Sequence, residues 1–165
     1  MSSAPLNVGI VGTGIFARDD HLPAYQKNPE HFKVAAVFNR TRAKALDFAK
    51  LANVSDEKVY STLDDIISDP HVDYIDALLP VQFNVQTLQK AIEHNKPMVI
   101  EKPIAATMKQ AREFVELTDK TDLPIAIAEN WLNLSVVTEA KKHIKRIGRI
   151  VGFTHTFTGP NSKTG

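Results

Sequence analysis

Leu6-Asn7-Val8-Gly9-Ile10-Val11-Gly12-Thr13-Gly14-Ile15-Phe16-Ala17 decides the fold. The first six residues form a short apolar, β-branched run of the kind found in buried strands. The run stops at Gly12-Thr13-Gly14, and Ile15 to Gln26 then follows a helical pattern, with Pro23 as an irregularity. Gly12 to Ala17 fits G-x-G-x-x-A. In that motif the first glycine makes the tight turn, the second lets backbone approach a pyrophosphate, and the alanine lets the helix pack close to the strand. The helix N-terminus adds free N–H groups and partial positive charge. A glycine-rich strand-to-helix turn without a ligand is the alternative. The position of the turn, between an N-terminal strand and a helix, favours dinucleotide binding, with Gly12, Thr13, Gly14, Ile15 and Phe16 around the pyrophosphate.

Outward from this turn the chain alternates strand and helix. Apolar runs predict strands at Lys33–Phe38, Val59-Tyr60, Tyr74–Leu79, Met98–Ile100 and Pro124–Ala128. Helical spacing falls between them. Thr41 is placed to cap the second helix, Ser61 or Thr62 the third, and Thr107 the one reaching Thr118. A last helix spans Leu134–Ile147 and ends at Gly148. Continuous apolar strands between helices indicate a parallel sheet covered on both faces. The expected fold is therefore α/β, a Rossmann-type doubly wound and mainly parallel sheet. Ile150–Thr158 is the one clean period-2 run, with Val151, Phe153, His155 and Phe157 on one face. It reads as a terminal strand that would begin a missing second domain. The expected division is residues 1–149 for the Rossmann domain and 150–165 for that strand and a tail.

Composition narrows the function. The chain has 165 residues, 43% of them hydrophobic and 24% charged, which suits one globular domain. Lys and Arg total 20 against 19 Asp and Glu, so no charge excess points to nucleic acid or an anionic membrane. The absence of cysteine excludes disulfides, thiolate-bound clusters and a cysteine nucleophile. No run approaches the roughly 18 apolar residues of a membrane span. Without a signal-like N-terminus the expected location is cytoplasmic.

The end of the second strand selects the nucleotide. NAD sites usually place an acid there for the ribose 2′-OH. Here the residues are Asn39-Arg40-Thr41-Arg42. Arg40 and Arg42 suit a 2′-phosphate, with Asn39 as a further hydrogen-bonding group, so NADP(H) is expected over NAD(H). Solvated arginines beside a helix cap are the alternative. After the fifth strand comes Glu101-Lys102-Pro103, beyond the carboxyl ends where ligands of such sheets bind. Lys102 can stabilise a developing alkoxide or exchange a proton, and Glu101 can orient it or touch the nicotinamide ribose. A surface ion pair is the alternative. Pro103 is a candidate cis residue.

Gly12–Ala17, the strand end Ala77-Leu78-Leu79-Pro80, and Asn95-Lys96-Pro97 followed by Glu101-Lys102-Pro103 resemble the glucose–fructose oxidoreductase/inositol dehydrogenase (Gfo/Idh/MocA) family. The resemblance runs from Asn7 to Phe157 and is similar above all to fungal NADP(H)-dependent members. It implies hydride transfer between NADP(H) and a small-molecule carbonyl or alcohol, with Lys102 as the catalytic residue near the reacting oxygen. It also implies that Leu79 and Pro80 flank the cofactor. Where the family pattern often has histidine, four residues after that proline, this chain has Asn84, which can hydrogen-bond a cofactor but cannot shuttle a proton. The family's second domain carries substrate-binding groups, so cofactor binding without efficient turnover is expected of this chain. A non-catalytic dinucleotide sensor or protein-interaction module is the rival reading.

Other candidates are weaker. Asn130 is placed to bond the carboxamide, and Trp131 reads as a nicotinamide wall or a core tryptophan. His21 and His31 lie near Asp19 and Asp20, but their spacing fits no usual zinc pattern, and no metal is expected. His155 reads as structural. The basic residues Lys141, Lys142, Lys145, Arg146 and Arg149 favour a helix C-terminus. The unpaired last strand makes a homo-oligomer an expectation.

Overall fold

A computed structural model describes residues 4–154 and 156. Six strands form one sheet in the order β3-β2-β1-β4-β5-β6. They are β1 Leu6–Val11, β2 Phe32–Phe38, β3 Val59–Tyr60, β4 Tyr74–Ala77, β5 Met98–Ile100 and β6 Ile125–Ile127. Every pairing is parallel. This is the Rossmann order, in which the chain reverses its direction of winding between β1 and β4.

The helices are α1 Leu22–Gln26, α2 Arg42–Ala52, α3 Leu63–Ser68, α4 Asn84–Glu93 and α5 Met108–Thr118. They divide the core into two layers. Val8, Ile10 and Val37 of the sheet pack with Leu22, Ala45 and Phe48 of α1 and α2. Val11, Ile75 and Ile100 pack with Ile66, Leu88 and Phe114 of α3, α4 and α5. The alternation along β1 explains the division, because successive side chains enter opposite layers. Strands buried on both faces therefore read as unbroken apolar runs. Complete burial of a Leu or Ile side chain stabilises by about 2 kcal/mol.

The helix after the glycine turn is not regular. A wide π-turn over Ala17–His21 leads into α1, and Pro23 stands in the first turn of α1. Caps divide the sequence expectations. Thr62 accepts from Asp65 N–H at 3.1 Å and Thr107 from Gln110 N–H at 3.2 Å. Thr41 holds the N-cap position of α2, but its side chain makes no cap bond. Instead Thr41 N–H donates to Asn39 Oδ1 at 3.5 Å.

The chain divides into two compact units after Ala128. The second holds a 3₁₀ turn at Asn130–Asn133, helix α6 at Ser135–His143 and a 3₁₀ turn at Ile144–Ile147. Gly148 follows with φ 72°. The strand expected at Ile150–Thr158 is corrected: residues 150–154 and 156 are not in a strand. An alternating pattern supplies a face but not a ladder partner, and no pairing reaches this segment among the described residues. His155 and residues 157–165 lie outside the described residues.

Candidate functional site at the carboxyl edge of the sheet

Parallel pairing brings four strand ends to one edge. Val11 is in register with Phe38 and Ala77, and Ala77 with Ile100. The residues that follow, Gly12, Asn39, Leu78 and Glu101, therefore leave the sheet side by side. Three hydrogen bonds continue the ladder into this rim: Gly12 N–H to Phe38 O at 2.8 Å, Leu78 N–H to Val11 O at 2.7 Å and Glu101 N–H to Ala77 O at 3.3 Å.

Gly12 and Gly14 serve different purposes. Gly12 has φ 98°, and a Cβ there would meet Leu78 O at 2.3 Å. Only glycine fits against that carbonyl. At Gly14 a Cβ would meet nothing within 4 Å. Its missing side chain leaves open space above the turn, which is the cradle a pyrophosphate needs. The first helical bond runs from Arg18 N–H to Gly14 O at 3.1 Å, so the preceding turn supplies N–H groups without helical partners. Ile15 and Phe16 expose their apolar side chains at this rim.

A chain of hydrogen bonds ties the glycine turn to the end of β2. Asn39 Nδ2 donates to Thr13 Oγ1 at 2.6 Å, and Thr13 Oγ1 donates to Lys44 O at 3.3 Å. Arg40 is exposed. Arg42 Nη1 donates to Val59 O at 2.9 Å and to Ser61 Oγ at 3.2 Å. Arg42 is thus steadied by the end of β3.

A family model described as an oxidoreductase family with an NAD-binding Rossmann fold matches residues 6–129. The chain belongs to the Gfo/Idh/MocA oxidoreductase family. The Saccharomyces cerevisiae protein YMR315W is 59% identical over 157 residues, which cover 95% of this chain and 45% of that protein. Levoglucosan dehydrogenase of Pseudarthrobacter phenanthrenivorans is 28% identical over 159 residues, 92% of this chain and 40% of the relative. An oxidoreductase structure from Thermotoga maritima superposes with a TM-score of 0.81 at 32% identity, over 86% of this chain and 43% of that one. The chain spans less than half the length of these Gfo/Idh/MocA relatives.

At the other side of this Gfo/Idh/MocA rim, Lys102 is exposed and its N–H donates to Glu101 Oε2 at 3.1 Å. The Lys102-Pro103 peptide is cis. Leu79 is half-buried and Pro80 exposed where the chain leaves β4. Asn84 is buried, and its Nδ2 donates to Pro103 O at 3.0 Å and Glu101 O at 3.4 Å. It clamps the turn that carries Lys102. Asn84 Oδ1 is buried without a hydrogen-bond partner among the described residues. Asn130 and Trp131 belong to the second compact unit.

One cluster escaped the sequence reading. Asp76 of β4 is wholly buried, and its Oδ2 accepts from Tyr25 OH at 2.7 Å and lies 2.7 Å from His21 Nδ1. The other ring nitrogen of His21 lies 3.2 Å from Glu101 Oε1. The hydrogen bond to Asp76 raises the His21 pKa most; burial opposes it, and the charge of Asp76 and the Glu101 contact add to it. Burial and the charge of Asp76 push the Tyr25 hydroxyl up as well. Two signals for this cluster were present. Asp76 is an acid inside the apolar run Tyr74–Leu79, and a buried charge needs partners. His21 and Tyr25 stand four apart, the spacing that puts two side chains on one helix face. No group of metal-ligating side chains occurs among the described residues.

Proposed function

We propose that this chain is the dinucleotide-binding part of an NADP(H)-dependent oxidoreductase that acts on a small-molecule carbonyl or alcohol. The observation that carries the reading is the glycine pair at the switch point, Gly12 against Leu78 O and Gly14 open. Gly14, Ile15 and Phe16 would hold the pyrophosphate by backbone N–H groups. Arg40 and the Nε and Nη2 atoms of Arg42 would bind the 2′-phosphate. Asn39 braces the glycine loop and does not itself need to reach the ribose. NADP(H), when bound, supplies or takes up a hydride. Lys102 would then stand beside the reacting oxygen, stabilising its charge or holding its proton, with Glu101 and Asn84 setting the position of the turn.

The relatives support an alcohol or carbonyl substrate, since one is named a levoglucosan dehydrogenase. A cysteine-free chain without a long apolar helix among its described residues suits the cytoplasm, the location we assign.

Titration of the purified chain with NADPH and then NADH, followed by dihydronicotinamide emission, tests the reading. NADPH is expected to bind more tightly. Arg40→Ala with Arg42→Ala should weaken NADPH about 10- to 100-fold, since charge-assisted hydrogen bonds contribute about 1.5–3 kcal/mol, and leave NADH unchanged. A folded chain that binds neither dinucleotide would refute the proposal.

A further inference from the structure

We propose that His21 is a positioning residue: donating from both ring nitrogens, it ties the Glu101-Lys102-Pro103 turn to the buried carboxylate of Asp76. The inference rests on reading that turn as the nicotinamide side of the site.

The geometry demands a charged ring. His21 Nδ1 faces Asp76 Oδ2 at 2.7 Å and Nε2 faces Glu101 Oε1 at 3.2 Å. A carboxylate only accepts, so holding both contacts requires both ring N–H groups, which only the imidazolium has. The surroundings are poorly solvated. The side chains of His21, Asp76 and Glu101 are 17%, 0% and 18% exposed. From β4 the ring meets Asp76, with Tyr74 nearby beside Tyr25, and from the end of β5 it meets Glu101. From α1 comes Tyr25, whose hydroxyl shares Oδ2. On its own turn Arg18 pairs with Asp19, and Asp20 is exposed. Both charged groups in contact with the ring are therefore anions.

The two contacts are not equal. Asp76 is wholly buried, and its Oδ1 has no hydrogen-bond partner among the described residues. Losing the Nδ1 proton would leave that carboxylate with Tyr25 alone. Glu101 keeps some solvent and also accepts Lys102 N–H at 3.1 Å. When the ring loses a proton, it leaves from Nε2. A nitrogen lone pair then faces Glu101 Oε1, and the two repel. Glu101 is released, and the turn bearing Lys102 keeps its backbone bonds to Asn84 and Ala77 but loses the side-chain tie through His21. The far end of the site, at Asn39 to Arg42, does not share this contact.

Nuclear magnetic resonance of the purified chain tests the tie without any ligand. The ¹⁵N signals of the His21 ring should show both nitrogens predominantly protonated at pH ~6.5, with a midpoint above that ordinary value. The midpoint should fall in Glu101→Gln, an isosteric change that keeps the fold. The Lys102 amide, bonded to Glu101, should follow the same titration in the parent and lose it in Glu101→Gln. In parallel, the affinity for NADH, which lacks the 2′-phosphate that itself ionises at about pH 6, should fall about tenfold as His21 titrates, the size of one charge-assisted bond. His21→Gln should bind NADH about tenfold more weakly at low pH, with a flat profile. A ring carrying a single proton near pH 6.5, or a Lys102 amide indifferent to His21, overturns the proposal. So does an unchanged pH profile of NADH binding in His21→Gln. If neither dinucleotide binds, the function proposed above fails, and the resonance titration still decides whether the tie exists.

Discussion

Replacing the two glycines of the turn by alanine, one at a time, separates folding from binding. In Gly12→Ala the new Cβ would lie 2.3 Å from Leu78 O and 2.8 Å from Leu78 C. To reach even 3.0 Å from the oxygen, backbone must retreat by about 0.7 Å. Leu78 cannot retreat freely, because its N–H bonds Val11 O at 2.7 Å across the central strands. The positive φ of 98° adds strain of about 1–2 kcal/mol for any residue with a Cβ. Overpacking against fixed backbone adds about 1–3 kcal/mol. Together these give a loss on the order of 2–5 kcal/mol, or roughly 10 °C in Tm for a unit of this size. Gly14→Ala meets open space and carries no positive φ, so its stability should stay within about 0.5 kcal/mol of the parent. Its NADPH affinity should nevertheless fall at least about tenfold, because the Cβ would occupy the approach of the pyrophosphate. Calorimetry and NADPH titration on both variants make the comparison. A Gly12→Ala chain that melts with the parent refutes the steric argument. A Gly14→Ala chain that binds NADPH like the parent refutes the placement of the phosphates.

Three further outcomes follow from the packing. The His21 pKa is raised by its carboxylate partners, so its contribution to stability is full below the ordinary ~6.5 and lost as pH rises through the folded-state value. Melting curves across that window should show the decline, and His21→Gln should lack it. Thr62→Ala and Thr107→Ala should each cost about 1 kcal/mol by denaturant titration, whereas Thr41→Ala should be near neutral because its side chain makes no cap bond. Asp69 is buried, which alone would raise its carboxyl. Hydrogen bonds from Tyr60 OH at 2.6 Å, His71 N–H at 2.9 Å and Lys58 Nζ at 2.9 Å instead hold it well below the usual carboxylate range. Its contribution is present above about pH 4 and lost as pH falls, so Asp69→Asn should cost about 2 kcal/mol at neutral pH and flatten the acid limb of the stability curve.

Much of the architecture was written locally. The strand expected at Met98–Ile100 has those bounds, and Val59-Tyr60 does too, because a short apolar run flanked by turn residues has few other uses. The apolar run predicts a strand over Tyr74–Leu79, two residues longer than β4. Leu78 still bonds the sheet through its N–H, but the chain turns away toward Pro80, and hydropathy does not register a turn. Thr41 has the residue type and position of a cap, yet the local geometry directs its N–H to Asn39 and leaves its hydroxyl out. The family resemblance places Asn84 among the cofactor-binding residues. The fold buries it and turns its amide to Glu101 and Pro103, two carbonyls 17 and 19 residues away.

The sequence by itself determined the parallel α/β sheet and the glycine turn at its edge. Both follow from interactions between near neighbours: the period of apolar residues, the reach of a turn, and the conformational freedom of glycine. Tertiary structure alone decided why Gly12 must be glycine, since the carbonyl it faces lies 66 residues away at Leu78. It also decided the partners of His21, which are 55 and 80 residues distant and meet only because β4 and β5 lie side by side in one parallel sheet. A buried acid announces in sequence that it needs a donor. Which donor it receives depends on strand order, and strand order is a property of the assembled sheet.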